Sequence, residues 1–384
     1  MDATKCSSPT RFFPWYRVPA ALQPGNRAAI TGTMLELDPH NTVAYLHERG
    51  WLDSRIDARV ELLAWGVSNA VLRVTPERGG AFVIKQSRSR LRTRDPWFSR
   101  LDRIWREVDV MRLLQPLLPS GVVPRVLFEN RPDYVFAMEA APAEHRVWKQ
   151  LLLDGQAGLD RRANSRIAGA LGTCLAAIHR QTAQRPDLQS QFGDTQVFVE
   201  LRIDPFYRRM AEVSQQAAPY IERLIAEMFA TAICLVHADF SPKNVLIAAD
   251  RIVLVDFETG HYGDPAFDLG FFLSHLLLKS IRHAPQFAEY TGLTDEFWRT
   301  YREGLSPLAH LPAFAPHEIM RRTIGHLAGC MWARIDATSK VDYLGEAQQQ
   351  VVRDFCPTLF FDPPADWNVL IERLAGVLEA RGLT

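Results

Sequence analysis

Apolar positions along the 384-residue chain fall into two regimes. From Ala58 to Gln86, "ARVELLAWGVSNAVLRVTPERGGAFVIKQ" carries three β-rich runs. Turn signals at Gly66–Asn69 and Glu77–Gly80 separate them, which predicts an antiparallel meander. Between Phe98 and Leu118 the apolar residues Leu101, Ile104, Trp105, Val108, Met111 and Leu114 recur at threes and fours, the mark of a helix. Val123 to Ala141 then predicts two more strands around a turn at Asn130–Asp133, and 40–53 predicts a short helix. The first region is therefore a mostly antiparallel sheet with one inserted helix.

Beyond Ala141 the pattern changes. "EHRVWKQLLLDG", "RRANSRIAGALGTCLAAIHRQTA" and "PYIERLIAEMFATAIC" read as helices, the second with a stripe through Ile167, Leu171, Cys174, Leu175 and Ile178. Two short apolar runs, "NVLIA" and "RIVLVDF", interrupt them, and helices resume to the C-terminus. The expected domains are a leader over 1–33 outside the fold, a β-rich lobe over 34–140 and a helical lobe over 141–384. The leader is rich in Pro, Gly, Thr and Arg without periodicity, which predicts disorder.

Composition narrows the classes. Apolar residues make up 47% and charged residues 23%, as in a globular protein. Lys+Arg and Asp+Glu both number 44, so nucleic acid is not an expected partner. The longest apolar stretch, Leu269 to Leu278, is about half of the roughly 20 residues that a membrane span needs. The five cysteines are far apart and form no CxxC pair, which suits a reducing cytoplasm. Nothing in the sequence indicates the oligomeric state.

The chemistry concentrates around the two short apolar runs. His237-Ala-Asp239-Phe-Ser-Pro-Lys-Asn244 has the form H-x-D-x-x-x-x-N, and Asp256 follows 12 residues after Asn244. Phosphoryl transfer from ATP needs a carboxylate to orient and deprotonate the attacking hydroxyl, and oxygen ligands for Mg²⁺. A loop carrying Asp239 and Asn244, beside a hairpin ending in Asp256, supplies these, and Glu258 points the same way if the segment is extended. Asp, Asn and Pro are also ordinary turn residues. It is the combination of loop, hairpin and D-x-E in register that favours catalysis.

This stretch resembles the aminoglycoside phosphotransferase and choline kinase-like small-molecule kinases, over roughly residues 58–345. The resemblance implies an α+β, protein-kinase-like bilobal fold and an ATP- and Mg²⁺-dependent kinase acting on a small-molecule hydroxyl. "GDPAFDL" is similar to the family's G-D-P-x-x-D-L, implying that Asp268 braces the catalytic loop while also standing at a helix start. Gly66, Ser68 and Asn69 resemble the phosphate-covering turn, with one glycine where many members have two. Lys85, held by Glu107 (or, as weaker substitutes, Asp109 or Glu61), would position the phosphates. Met138, Glu139 and Ala141 fall at the hinge where adenine would bind, although Met138 is equally well described as core. Asp239 would be the base, Asn244 and Asp256 the metal ligands, Glu258 a further one, and His237 a loop-stabilising residue.

The acceptor is less legible. Asp256-x-Glu258 and Arg321-Arg322 resemble methylthioribose kinases, but Asn244 stands where those enzymes carry a different residue, and Ala238 replaces the family's glycine. The arginine pair reads equally as a solvated helix turn. Trp298, Trp332 and Tyr343 could stack on a sugar or cage an ammonium, yet aromatics at helical spacing usually pack in a core. "ARIDATSKVDYL" (Ala333–Leu344) is similar to a segment of the wider family without an assignable role. A protein kinase would need an activation segment, and Gly263 follows Asp256 by only seven positions. An inactive scaffold of the same fold is the other alternative.

Overall fold

The computed structural model describes residues 35–63, 69–88, 100–155, 158, 160–249 and 251–383. The expected leader over 1–33, and Gly66 and Ser68 of the expected phosphate turn, lie outside the described residues. The chain divides into two compact units. One holds the described residues up to Leu101 together with Val126–Ala140, and the other holds Asp102–Arg125 and the chain from Ala141 onward.

The N-terminal unit contains α1 (Thr42–Glu48) and strands β1 (Ala58–Leu62), β2 (Asn69–Pro76), β3 (Phe82–Ser87), β4 (Val126–Asn130) and β5 (Val135–Glu139). They form an antiparallel sheet in the order β1-β2-β3-β5-β4. The predicted meander and the later strand pair thus join edge to edge. α1 is shorter than the predicted 40–53 because Gly50, at φ +68°, turns the chain in a way that favours glycine. Its Tyr45 and Leu46 pack with Leu72, Ile84, Phe128 and Ala137, and Trp51 stacks on Phe128 at 4.1 Å. β3 is buried along its whole length, which leaves Lys85 only 4% exposed.

Helix α2 (Arg103–Leu114) groups with the C-terminal unit rather than with the sheet beside it in sequence. Its residues Arg103 and Glu107 bond to Glu258 and to the backbone of Phe257. The same unit contains β6 (Arg146–Val147), α3 (Trp148–Leu153), α4 (Arg161–Thr182), α5 (Pro186–Phe192), α6 (Gln196–Phe198), a wide π-type helix over Val199–Arg208, α7 (Arg209–Val213) and α8 (Ala218–Ala230). β7 (Cys234–Val236), β8 (Val245–Ala248), β9 (Arg251–Leu254) and β10 (His261–Gly263) follow. The chain then runs through α9 (Pro265–Arg282), α10 (Phe287–Leu305), α11 (Pro316–Asp336), α12 (Glu346–Phe361) and α13 (Trp367–Ala380). Arg146 and Val147, read from sequence as part of a helix, instead pair with Ile247 and Leu246 at the edge of a β6-β8-β9 sheet.

α9 explains the apolar run at 269–278. Every residue from Pro265 to Ile281 is buried, so the helix is apolar all round because it is the centre of the unit. Among the described residues no helix is long and apolar enough to cross a membrane. α11 crosses α9 closely at Gly270, where a Cβ would lie 2.5 Å from the Cβ of His326 and 2.6 Å from the Leu327 nitrogen. Gly270→Val is therefore expected to lower unfolding free energy by about 2–3 kcal/mol through overpacking, read as a lower urea midpoint with an unchanged slope.

Candidate active site

The loop 237–244 connects β7 to β8, and the first turn of α9 holds it. Asp264 caps that helix by accepting from the Ala266 N–H at 2.9 Å, and Pro265 suits the first helical position. One turn in, Asp268 is fully buried. It accepts from the backbone N–H groups of His237 and Ala238, each at 2.7 Å. His179 Nε2 lies 3.2 Å from the same carboxylate and its Nδ1 lies 2.9 Å from the Tyr301 hydroxyl. The acceptor character of Asp268 assigns the proton to Nε2, leaving Nδ1 to accept from Tyr301. Burial alone would raise the Asp268 carboxyl, but His179 and the loop amides outweigh it and hold it below its usual value.

Ala238, in the place of the family's glycine, has φ +59°. That left-handed backbone is unfavourable for alanine, and the bonds from Asp268 and from Arg202 Nε to the Ala238 carbonyl (2.9 Å) enforce it. His237 is 1% exposed. Its Nδ1 accepts from the Asp239 N–H at 3.2 Å and its ring packs on Phe257 at 4.7 Å. Burial lowers its pKa, so it is a neutral ring at neutral pH and braces the loop.

Asp239 projects into a cluster of donors. Its Oδ2 accepts from Asn244 Nδ2 at 2.8 Å and from Lys243 Nζ at 2.9 Å, and Oδ1 forms an ion pair with Arg202 Nη2 at 2.6 Å. Burial opposes ionisation, but Arg202 and Lys243 outweigh it, against a smaller push from Asp256, and the carboxyl stays below its usual value. Arg202 was not foreseen from sequence. The only signal was an arginine among Leu201, Ile203 and Phe206, apolar neighbours that imply burial and hence a partner. Lys243 stands inside the motif, but it had no assigned role.

The hairpin brings the second acid to the loop. Val245 pairs with Leu254, and the Val255 N–H donates to the Asn244 carbonyl at 3.1 Å. Asp256 follows at φ +74°, a left-handed residue immediately beyond the paired strand. Asn244 spends its amide nitrogen on Asp239, which leaves its Oδ1 as the metal-compatible atom. Two oxygen donors of this kind fit Mg²⁺, which is held by one or two protein oxygens plus substrate phosphates. Glu258 has a different partner: its carboxylate pairs with the fully buried Arg103 at 3.2 Å. That pairing ties α2 to the segment behind Asp256 instead of presenting Glu258 as an open ligand.

Lys85 lies on β3, opposite Val71 and Phe136, and Asn69, 2% exposed, starts β2 opposite Ser87. Glu107 is buried on α2, where its Oε1 accepts from the Phe257 N–H at 3.4 Å. Met138 is a buried core residue opposite Val83, with Glu139 at the strand end and Ala141 just beyond it. The two arginines do not act as a pair. Arg322 is buried on Asp264 at 2.9 Å, whereas the half-exposed Arg321 joins Glu227 and Glu318. Trp298 and Trp332 are buried, and Trp298 stacks on Trp367 and Tyr301.

Sequence comparison shows a match to the phosphotransferase enzyme family over residues 59–307, well over half of the chain. A methylthioribose kinase of Geobacillus thermodenitrificans (strain NG80-2) is 30% identical over 118 residues, 24% of this chain and 29% of that protein. One of Enterobacter sp. (strain 638) is 34% identical over 91 residues, 21% of this chain and 23% of that protein. The chain thus aligns with less than a third of the length of these curated relatives. Among solved structures, a choline/ethanolamine kinase family protein from Mesorhizobium loti has a TM-score of 0.46 at 17% identity, covering 90% of this chain and 97% of that one. A macrolide 2'-phosphotransferase from Brachybacterium faecium also scores 0.46, at 18% identity, covering 88% and 98%.

Removing the carboxylate of Asp268 orphans two buried N–H groups. Asp268→Ala should cost about 2–6 kcal/mol in chemical denaturation, at about 1–3 kcal/mol per orphaned group. Because the folded pKa of Asp268 is depressed, its contribution is complete above the ordinary carboxyl value of about 4 and is lost as pH falls below it. The stability of the variant should therefore fall less steeply on the acid side than that of the wild type.

Proposed function

The chain belongs to the phosphotransferase enzyme family, and we propose that it moves the γ-phosphoryl group of ATP to a hydroxyl of a small molecule. The observation that carries this reading is the loop carboxylate Asp239, kept ionised by Arg202 and Lys243 and tied by Asn244 to the strand end that bears Asp256. In a loose phosphoryl-transfer transition state, positioning and charge neutralisation do most of the work. Asp239 orients the acceptor hydroxyl and takes its proton. Arg202 and Asn244 fix the carboxylate so that little reorganisation is needed on reaction.

Asn244 and Asp256 are assigned to Mg²⁺, which when bound neutralises charge on the phosphates. Asp239 and Asp256 repel one another, and a cation near Asp256 would relieve that repulsion. Lys85, Asn69 and the turn residues Gly66 and Ser68 are assigned to the nucleotide phosphates, and Glu107 to the support of Lys85. Met138, Glu139 and Ala141 are assigned to the adenine. A small acceptor fits better than a protein one, because β10 begins at His261 and pairs at once with β7, leaving a short connection after Asp256. The four described cysteines are free and buried, in keeping with a cytoplasmic setting.

The test is ADP release with Mg²⁺ across sugars, amino alcohols, aminoglycosides and hydroxyamino acids. At least one class should be phosphorylated, and Asp239→Asn should lower kcat on it about 100-fold or more. Silence on every acceptor together with no ATP binding would overturn the reading. Arg202→Met should lower kcat about 10–100-fold. It should also move the acid limb of the kcat/KM profile to higher pH, because burial then raises Asp239 with less opposition.

A further inference from the structure

Behind the loop 237–244, α3, α9 and α11 bring three more basic side chains close together. Lys279 on α9 is fully buried; its Nζ donates to the His275 carbonyl at 3.0 Å and lies 5.4 Å from the centre of the Tyr343 ring. Lys149 on α3 stands over the same ring at 5.9 Å. Arg334 on α11 uses Nη1 on the Ser339 hydroxyl while its Nε has no partner. Among the described residues none of the three forms an ion pair. Two further polar tips are buried and unpartnered in this cluster: Nε2 of His275, one turn before Lys279 on α9, and the Tyr343 hydroxyl. Burying basic groups together with few acids in reach is costly, and such an arrangement persists where it is useful.

The charges interact. Burial, then Lys149 and Arg334, push the Lys279 ammonium far below its usual pKa, and burial, then Lys279, Arg334, Lys243 and Lys149, do the same to His275. Arg334 lies within electrostatic reach of Asp239, and Lys243 links the cluster to that carboxylate directly. The acids in reach are Asp239, already held by Arg202 and Lys243, and the exposed Asp342. Lys149, Arg334 and Tyr343 are only partly buried, so the cluster has access to solvent through them, whereas Lys279 is fully buried. Arg334 and Tyr343 both belong to the segment Ala333–Leu344, whose place in the sequence pattern had no explanation.

We propose that the acceptor carries an oxyanion, a carboxylate or phosphate group besides its reacting hydroxyl, and that Lys149, His275, Lys279, Arg334 and Tyr343 form the subsite that takes it. This rests on the kinase reading and names its substrate class. An oxyanion supplies acceptors to ammonium, guanidinium, imidazole and phenol donors at once. It also repays the burial of Lys279, which takes a proton from solvent as the anion enters. A polycationic acceptor, by contrast, would meet the positive charges of Lys149 and Arg334.

The test needs neither ATP nor turnover. The full chain is titrated at constant ionic strength with inorganic phosphate, acetate and choline, by calorimetry in two buffers of different ionisation enthalpy. At least one anion is expected to bind ten times more tightly than choline, with proton uptake; which of phosphate and acetate binds better identifies the group. Lys279→Met and Lys149→Gln should each weaken that anion at least tenfold, and Lys279→Met should reduce the proton uptake. Arg302→Met, on the remote face of α10, should change neither. Tighter binding of choline, absence of anion binding, or equal affinity in all variants would overturn the proposal. Since the nucleotide is absent, such a failure leaves the ADP-release result to judge the kinase reading by itself.

Discussion

A single buried carboxylate sets the geometry of the loop 237–244. Asp268 accepts two backbone N–H groups and the imidazole of His179, and through the first two it keeps Ala238 in a left-handed conformation. That conformation costs an alanine about 1–2 kcal/mol. Two hydrogen bonds to a charged acceptor contribute about 1.5–3 kcal/mol each, so the enforced turn is affordable. Arg202, on the other side, grips the Ala238 carbonyl and the Asp239 carboxylate together. Helix α9 and the π-type helix thus hold the loop from two sides, and Asp239 has one orientation.

The same loop shows how opposing electrostatic terms are balanced. Desolvation pushes Asp239 towards its neutral form, while Arg202 and Lys243 favour the charged one and win. The cost is a carboxylate that is a weaker base than a free one. The proposed phosphoryl transfer accommodates a weaker base, because positioning and charge neutralisation do most of the work. A few residues away the balance goes the other way. Among the described residues Lys149, Lys279 and Arg334 form no ion pair, and burial dominates Lys279.

What was legible in the sequence follows from how local each interaction is. His237, Asp239, Asn244 and Asp256 lie within one loop and one hairpin, so their spacing alone showed that they would meet. The strands of the sheet were legible from their β-rich runs and intervening turns, and α2 from its threes and fours. The unit to which α2 belongs was not, because Arg103 and Glu258 are 155 positions apart and neither is unusual by itself. Arg202, His179 and Tyr301 act through tertiary contacts of the same kind. The strand β10 is three residues long and has meaning only beside β7. Arg322 was legible as a charge near the site; that its charge is consumed by the helix cap Asp264 depended on packing.

The β8–β9 hairpin has a consequence for how variation can be absorbed. Asn244 and Asp256 sit at its open end, where Val245 pairs with Leu254, and the connecting turn lies at the opposite end, beyond the Ala248–Arg251 pair. The ladder behaves as a ruler clamped at the chemical end. Residues added or lost in the distal turn lengthen the free end and leave Asn244 and Asp256 aligned. A slip of one position within the strands would instead reverse which face each side chain occupies. Length polymorphism is thus cheap at one tip of this hairpin and prohibitive along its body.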